Sequence, residues 1–278
     1  MRLAISNIAW DTAEDEIVFR LLKRFGVDAI DIAPGKYFPD PASASVQEIT
    51  YVKDWWAERG IAITGMQALL FGTSGLNLFG SQDSRAAMLK HLSAVCRIGG
   101  GLGATRLVFG SPKNRDRTGL DDQQALDMAV PFFRELGGIA QSYGVIICLE
   151  PNPTCYGANF MTNSAQTAEV VRQVAHPAIK MQFDTGALQI NGEDPMTVLK
   201  NCVALIGHVH ASEPDLVTLG DGGTDHGRMV TAIKRFLVDP VVSIEMLGTK
   251  NELHHVSIER ALRVATHHYR FQRAGAEQ

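Results

Sequence analysis

Four apolar runs in the second half of the chain each finish on a side chain able to bind a metal ion. They are "ICLEPNP", "KMQFDTG", "GHVHASEP" and "VSIEML", and they end on Glu150, Asp184, His210 and Glu245. A buried strand has no reason to end on a charge unless something pairs with it, because an isolated buried carboxylate costs several kcal/mol. Singly, each has an ordinary explanation. Glu150 could accept loop hydrogen bonds, Asp184 could form a turn or cap a helix, and a strand histidine could be satisfied within the core. Together they make sense only if the strands lie side by side and their ends converge. Three carboxylates and one imidazole then form a hard, oxygen-rich donor set, suited to Mn²⁺, Mg²⁺ or Co²⁺ rather than to a thiolate zinc site.

The elements that must position these ends follow a repeated syntax: an amphipathic helix, a glycine, then a short run rich in Val and Ile. "FRLLKRFGVDAIDIAP" has it around Gly26, and "VKDWWAERGIAITGMQ" around Gly60. "CRIGGGLGATRLVFGS" and "FFRELGGIAQSYGVIICLEPN" repeat it around Gly103 and Gly144. A glycine just past the helix releases the chain through a left-handed residue, and the apolar run after it reads as a buried parallel strand. Eight strands are expected, centred on Leu3–Ser6, Ala29–Ile32, Ala62–Met66, Arg106–Phe109, Ile146–Glu150, Lys180–Asp184, Gly207–His210 and Val242–Glu245. Helices such as Asp122–Tyr143 and Ser164–Val174 fall between them. Strand–helix alternation over 278 residues fits an α/β (β/α)8 barrel, for which about 250 residues is typical. A doubly wound open sheet is the alternative, but no GxGxxG fingerprint follows the first strand. No linker or low-complexity stretch divides the chain, so residues 1–278 read as a single TIM-barrel domain.

Composition narrows the function. A hydrophobic fraction of 45% with 20% charged residues can build a sizeable soluble core, and a net charge of -4 argues against a nucleic-acid partner. No run approaches the roughly 18 apolar residues of a membrane helix, so no membrane partner is expected. The opening "MRLAISNIAWDTAEDE" turns polar too early for a signal peptide. Cys96, Cys148, Cys155 and Cys202 lack CxxC spacing and read as reduced thiols of a cytoplasmic protein.

Other residues could complete a site. Gln67 ends "GMQALLFG" and could bind a hydroxyl, or sit in a loop packed on Leu69 to Phe71. Lys113, with Arg115 and Arg117 in "SPKNRDR", gives either a solvated charged loop or a cationic rim; Lys113 is the preferred contact. The glycine-rich "LGDGGTDHGRM" reads as a loop over the site, with Asp225 or His226 capping the next helix and His226 also within range of substrate.

At the strand-end ligands the sequence resembles the xylose-isomerase-like TIM barrels, a sugar phosphate isomerase/epimerase family. The likeness runs from "AISNIAW" to "SIEML". It implies one bound divalent ion, Mn²⁺ before Mg²⁺ or Co²⁺, held by Glu150, Asp184, His210 and Glu245. Glu150 and Glu245 would double as acid and base. His208 is then left to support the ligand or to meet substrate. The implied reaction is isomerisation or epimerisation of a sugar or sugar derivative through an enediolate. The alternative is a lyase, a dehydratase or β-eliminase of a keto-sugar, keto-inositol or dehydroshikimate on the same metal site. An endonuclease on this barrel would need more histidines and basic loops, and a non-enzymatic binding role would show metal without turnover. Homo-oligomers are common in the family, which carries over as analogy only. Ketose 3-epimerases have a histidine three residues after the ligand Asp, an arginine six after the ligand His and a glutamate six after the first ligand. Here those positions hold Ala187, Leu216 and Tyr156, which argues against a free ketohexose.

Overall fold

Each of the eight apolar runs forms a strand in the computed structural model, which describes residues 1–270. The strands are β1 (Arg2–Ser6), β2 (Ala29–Ile32), β3 (Ala62–Met66), β4 (Arg106–Phe109), β5 (Ile146–Leu149), β6 (Ile179–Asp184), β7 (Ile206–Ser212) and β8 (Val241–Glu245). They pair in parallel in chain order, and β8 returns to β1 with Leu3 opposite Val242 and Ile5 opposite Ile244, closing the barrel. The doubly wound alternative is thereby excluded. Helices fill the connections, as in Asp122–Ser142 between β4 and β5 and Ser164–Val174 between β5 and β6. No helix among the described residues is long and apolar enough to cross a membrane.

Local signals account for the helix limits. The helix Asp15–Phe25 buries Val18, Leu21 and Leu22 on one face and stops where Gly26 turns left-handed at φ 61°; Val27 N–H then bonds Leu22 O at 2.9 Å. Asp121 and Gln124 form a reciprocal capping box at the start of Asp122–Ser142. Of the "WW" pair, Trp56 is fully buried while Trp55 stacks beneath the Arg59 guanidinium, 3.7 Å from its ring centre.

Strand ends deviate from the sequence pattern at two of the four candidate positions. β5 stops at Leu149 because Pro151 follows, yet Glu150 N–H still bonds Phe109 O at 3.1 Å and so stays in line. β7 runs two residues beyond His210. There Thr185 Oγ donates to Ser212 O at 2.8 Å and accepts from Ser212 N at 2.8 Å, which prolongs the pairing with side-chain bonds.

The barrel interior carries polar cross-ties. Asp31 on β2 meets His208 on β7 at 2.6 Å, both buried, and Thr64 Oγ donates to Asp31 at 2.9 Å. The chain after β7 folds back around Glu213, whose carboxylate accepts from Gly220 N at 2.7 Å and Thr224 N at 2.9 Å. His226 Nε2 lies 2.9 Å from the same carboxylate, and its Nδ1 lies 2.8 Å from the Tyr269 hydroxyl. Burial works against the charge on Glu213, but these hydrogen bonds outweigh it and bring its pKa down to about 2.

Replacing Glu213 by Gln leaves one of these buried donors unpaired and is expected to cost about 1–3 kcal/mol, read as a lower melting temperature. Because the folded-state pKa lies below the ordinary 4.5, the stability from ionised Glu213 is complete above about pH 4.5 and is lost as pH falls toward 2. Urea midpoints taken from about pH 5 to pH 3 should therefore fall more steeply for the wild type than for Glu213→Gln.

Candidate metal centre

Strand register places the donors. Asp184 at the end of β6 stands opposite His210 on β7, and Ser212, two residues further, stands opposite Glu245 on β8. Glu150 reaches the same point from the end of β5. One ligand atom from each of Glu150, Asp184, His210 and Glu245 lies within 4.8 Å of every other, and all four side chains are buried.

Each is held in place by a neighbour. Ser212 Oγ donates to Asp184 Oδ2 at 2.7 Å, and Ala187 N–H donates to Oδ1 at 2.6 Å. Asp184 thus also caps the short helix Thr185–Asn191. Gln67, at the end of β3, crosses the barrel mouth to donate to Glu245 Oε1 at 2.6 Å, and the other oxygen lies 3.0 Å from His210 Nδ1. Asn152 Nδ2 donates to Glu150 Oε2 at 3.2 Å, while Arg115 Nη2 grips the far side of Asn152 at 2.5 Å. Gly110 makes room for Glu150: a Cβ there would sit 2.0 Å from Oε2.

The electrostatics are those of a crowded anionic cluster. Burial, then the charges of Glu245 and Glu150, push the Asp184 carboxyl up to about 8. Burial disfavours a charged His210, but Glu245 beside it, with Glu150 close by, drives its pKa well above the ordinary imidazole value. Glu245 is desolvated too, yet His210 and the Gln67 amide keep it below the usual carboxylate range. Glu150 Oε1 is buried without a hydrogen-bond partner. Mutually repelling oxygens, a neutralisable imidazole and an orphaned carboxylate oxygen are the donor chemistry of a divalent cation site, and the residues fit one.

The remaining sequence candidates take different places. A cavity of about 660 Å³ opens at this end of the barrel and is lined by Gln67, Lys113, Glu150, Asp184 and Glu245. Gln67 Oε1 is free of any partner. Lys113 stands exposed on the rim, 3.4 Å from Thr73 O. His208 lies one layer deeper, bonded to Asp31 and edge-on to His210 with ring centres 5.3 Å apart. It is absent from the cavity wall, as is His226, whose two nitrogens are engaged by Glu213 and Tyr269. The helix cap comes instead from Asp225, which accepts from Arg228 N at 2.9 Å.

Three contributors, Asp31, Asn152 and Ser212, escaped the sequence reading, and Arg115 takes neither of the two places it was given. Asp31 is a carboxylate inside the apolar run "AIDIAP", the same signal that marked the ligands, though its partner is 177 residues away. Arg115 looks like one charge in a solvated run but is fully buried, and its pKa is lowered by burial to about 10 against the pull of Glu150. Asn152 and Ser212 had no distinguishing signal beyond standing two residues after a ligand.

The family model described as xylose isomerase-like TIM barrel matches residues 19–265. Comparison with curated protein sequences returned no match. Among solved structures, D-psicose 3-epimerase from Clostridium cellulolyticum H10 with D-tagatose is similar at TM-score 0.80 and 18% identity, over 96% of this chain and 99% of that one. The 3-keto-D-glucoside 4-epimerase of E. coli has TM-score 0.76 and 18% identity, over 95% and 99% of the two chains. The IolI protein with a bound zinc atom has TM-score 0.74 and 18% identity, over 98% and 100%. These structural likenesses bear on the fold, and the family match spans most of the chain. The protein belongs to the xylose isomerase-like TIM barrel family.

Proposed function

We propose that the protein is a divalent-metal-dependent isomerase or epimerase of a sugar or sugar derivative, acting on a C–H bond beside a carbonyl. The observation that carries this reading is the placement of Glu150 and Glu245 on strands three apart, with Asp184 and His210 between them, around one cavity. Two fold neighbours are named as sugar epimerases and a third holds zinc, which supports both halves of the proposal. The oxygen-rich donors favour Mn²⁺, with Mg²⁺ or Co²⁺ next. Free cysteines throughout accord with a cytoplasmic setting.

The residues divide the work. Glu150, Asp184, His210 and Glu245 would hold the ion. When bound, the cation supplies positive charge against the oxygens of an α-hydroxy ketone and so acidifies the adjacent C–H. One glutamate takes the proton and the other returns one from its own side, which inverts the carbon; return at the neighbouring carbon isomerises instead. Gln67 fixes one oxygen of Glu245 and keeps its own Oε1 for a substrate hydroxyl. Asn152, anchored by Arg115, aims Glu150. Lys113 meets the outer end of the substrate at the rim.

Saturating Mn²⁺ at about 100 times its Kd should stabilise the fold by about 2.7 kcal/mol, a rise of several degrees in melting temperature, and Asp184→Asn should abolish the rise. Below about pH 8 the metal-free Asp184 carboxyl holds a proton that the ion must displace. Metal affinity should therefore increase as pH is raised from about 6 to 8, with proton release seen by calorimetry in buffers of different ionisation enthalpy. Affinity that is flat across that range would contradict the assignment.

In D₂O, keto-sugars and keto-glycosides incubated with the Mn²⁺-loaded protein should take up deuterium beside the carbonyl. Glu150→Gln and Glu245→Gln should each slow that exchange by about 10²–10⁴-fold. Epimer or isomer formation supports the proposal, whereas product lacking a leaving group would assign the site to a lyase.

A further inference from the structure

We propose that the cavity takes a glycoside, with the keto-sugar at the ligand cluster and an apolar, flat aglycone against the rim formed by Phe71, Leu216 and Leu247. This rests on the enolising reading above and names its substrate class. Besides the ligand carboxylates and the two lysines, large apolar side chains form much of the cavity lining. Away from the carboxylates its wall is built from Leu69, Leu70 and Phe71 after β3, Tyr156 after β5, Leu216 after β7 and Leu247 after β8. At about 660 Å³ it lies in the range of roughly 300–1,000 Å³ that holds drug-sized ligands. A free hexose would leave much of that wall uncovered.

The apolar rim is held in a fixed shape. The Tyr156 hydroxyl accepts from Asp215 N at 2.7 Å, and Leu247 N donates to Leu216 O at 2.9 Å, which ties three loops together. Asp215 and Leu216 are both left-handed, at φ 58° and 52°, a conformation that costs a side-chain-bearing residue about 1 kcal/mol or more and persists only where neighbours enforce it. Phe71 is 84% exposed and Leu247 51% exposed, so two large apolar side chains at the mouth are left in water. A sugar phosphate fits poorly. Among the described residues no arginine lines the cavity, the lining cations are Lys36 and Lys113, and the Lys36 amine is engaged by Trp10 O. The exposed Asp215 on the same wall repels an anionic group.

The test compares phenyl and methyl 3-keto-β-D-glucoside binding by calorimetry on the full chain, with and without Mn²⁺. The phenyl glycoside is expected to bind at least about tenfold tighter, and Phe71→Ala with Leu247→Ala to bring the ratio within about threefold. Equal affinities in the wild type, or no measurable binding of either, overturn the proposal. So does a dimer that dissociates on Phe71→Ala in a protein without aglycone preference, which would assign the exposed ring to a second copy of the chain. Deuterium exchange separates the two readings. Exchange that is equally fast for methyl and phenyl 3-keto-glucosides removes the aglycone site and leaves enolisation standing. Phenyl preference without any exchange does the reverse.

Discussion

Three carboxylates brought together out of water cannot all stay ionised without positive charge among them, and the mouth of this barrel is organised around that constraint. His210 answers part of it by carrying a proton between Glu245 and Glu150, and Asp184 answers another part by keeping its own. Both protons stand where a divalent ion would put its charge. The surrounding groups make the crowding permanent rather than let it relax. Gln67, Ser212, the Ala187 amide and Asn152 each give a hydrogen bond to one carboxylate oxygen and prevent the side chains from swinging apart. A cluster preorganised in this way loses little conformational entropy when an ion arrives.

Support for the cluster comes from across the barrel as well as along it. The Gln67–Glu245 bond joins β3 to β8, and the Asp31–His208 pair joins β2 to β7 one layer below. Asp31 is buried, which alone would raise its carboxyl, yet the charge and hydrogen bond of His208 pull it below the ordinary value. The pair fixes the ring that packs edge-on against His210. A polar floor of this kind costs more than an apolar one of the same shape. Its return is a defined orientation for the imidazole above it.

Eight strands and their order were readable from periodicity because each strand is a largely apolar run, and β2 to β5 each have a glycine stop before them. The four clustered strand-end residues stood out for a different reason: a charge at the end of such a run violates the pattern. What stayed hidden depends on partners distant in sequence. Arg115 sits in a run of basic residues that looks solvated, and only the loop carrying Asn152 buries it. The extension of β7 to Ser212 depends on Thr185, from the preceding strand end. His226 was read against the helix it begins, whereas Glu213 and Tyr269 decide its role. Local chemistry marked the strand ends, and long-range pairing marked what holds them.

The ladder that closes the barrel joins the first strand to the last, with Leu3 paired to Val242 and Glu245 three residues beyond. On the ribosome, Glu150, Asp184 and His210 emerge before the strand that completes their set. The nascent chain therefore carries an incomplete trap for cations until nearly all of it has been made. Contacts between positions some 240 residues apart are the slowest to form, because the loop they close is the longest. The four-residue cluster and the final topological step of folding mature together, so an ion held by all four residues would also act as the clasp of the finished barrel.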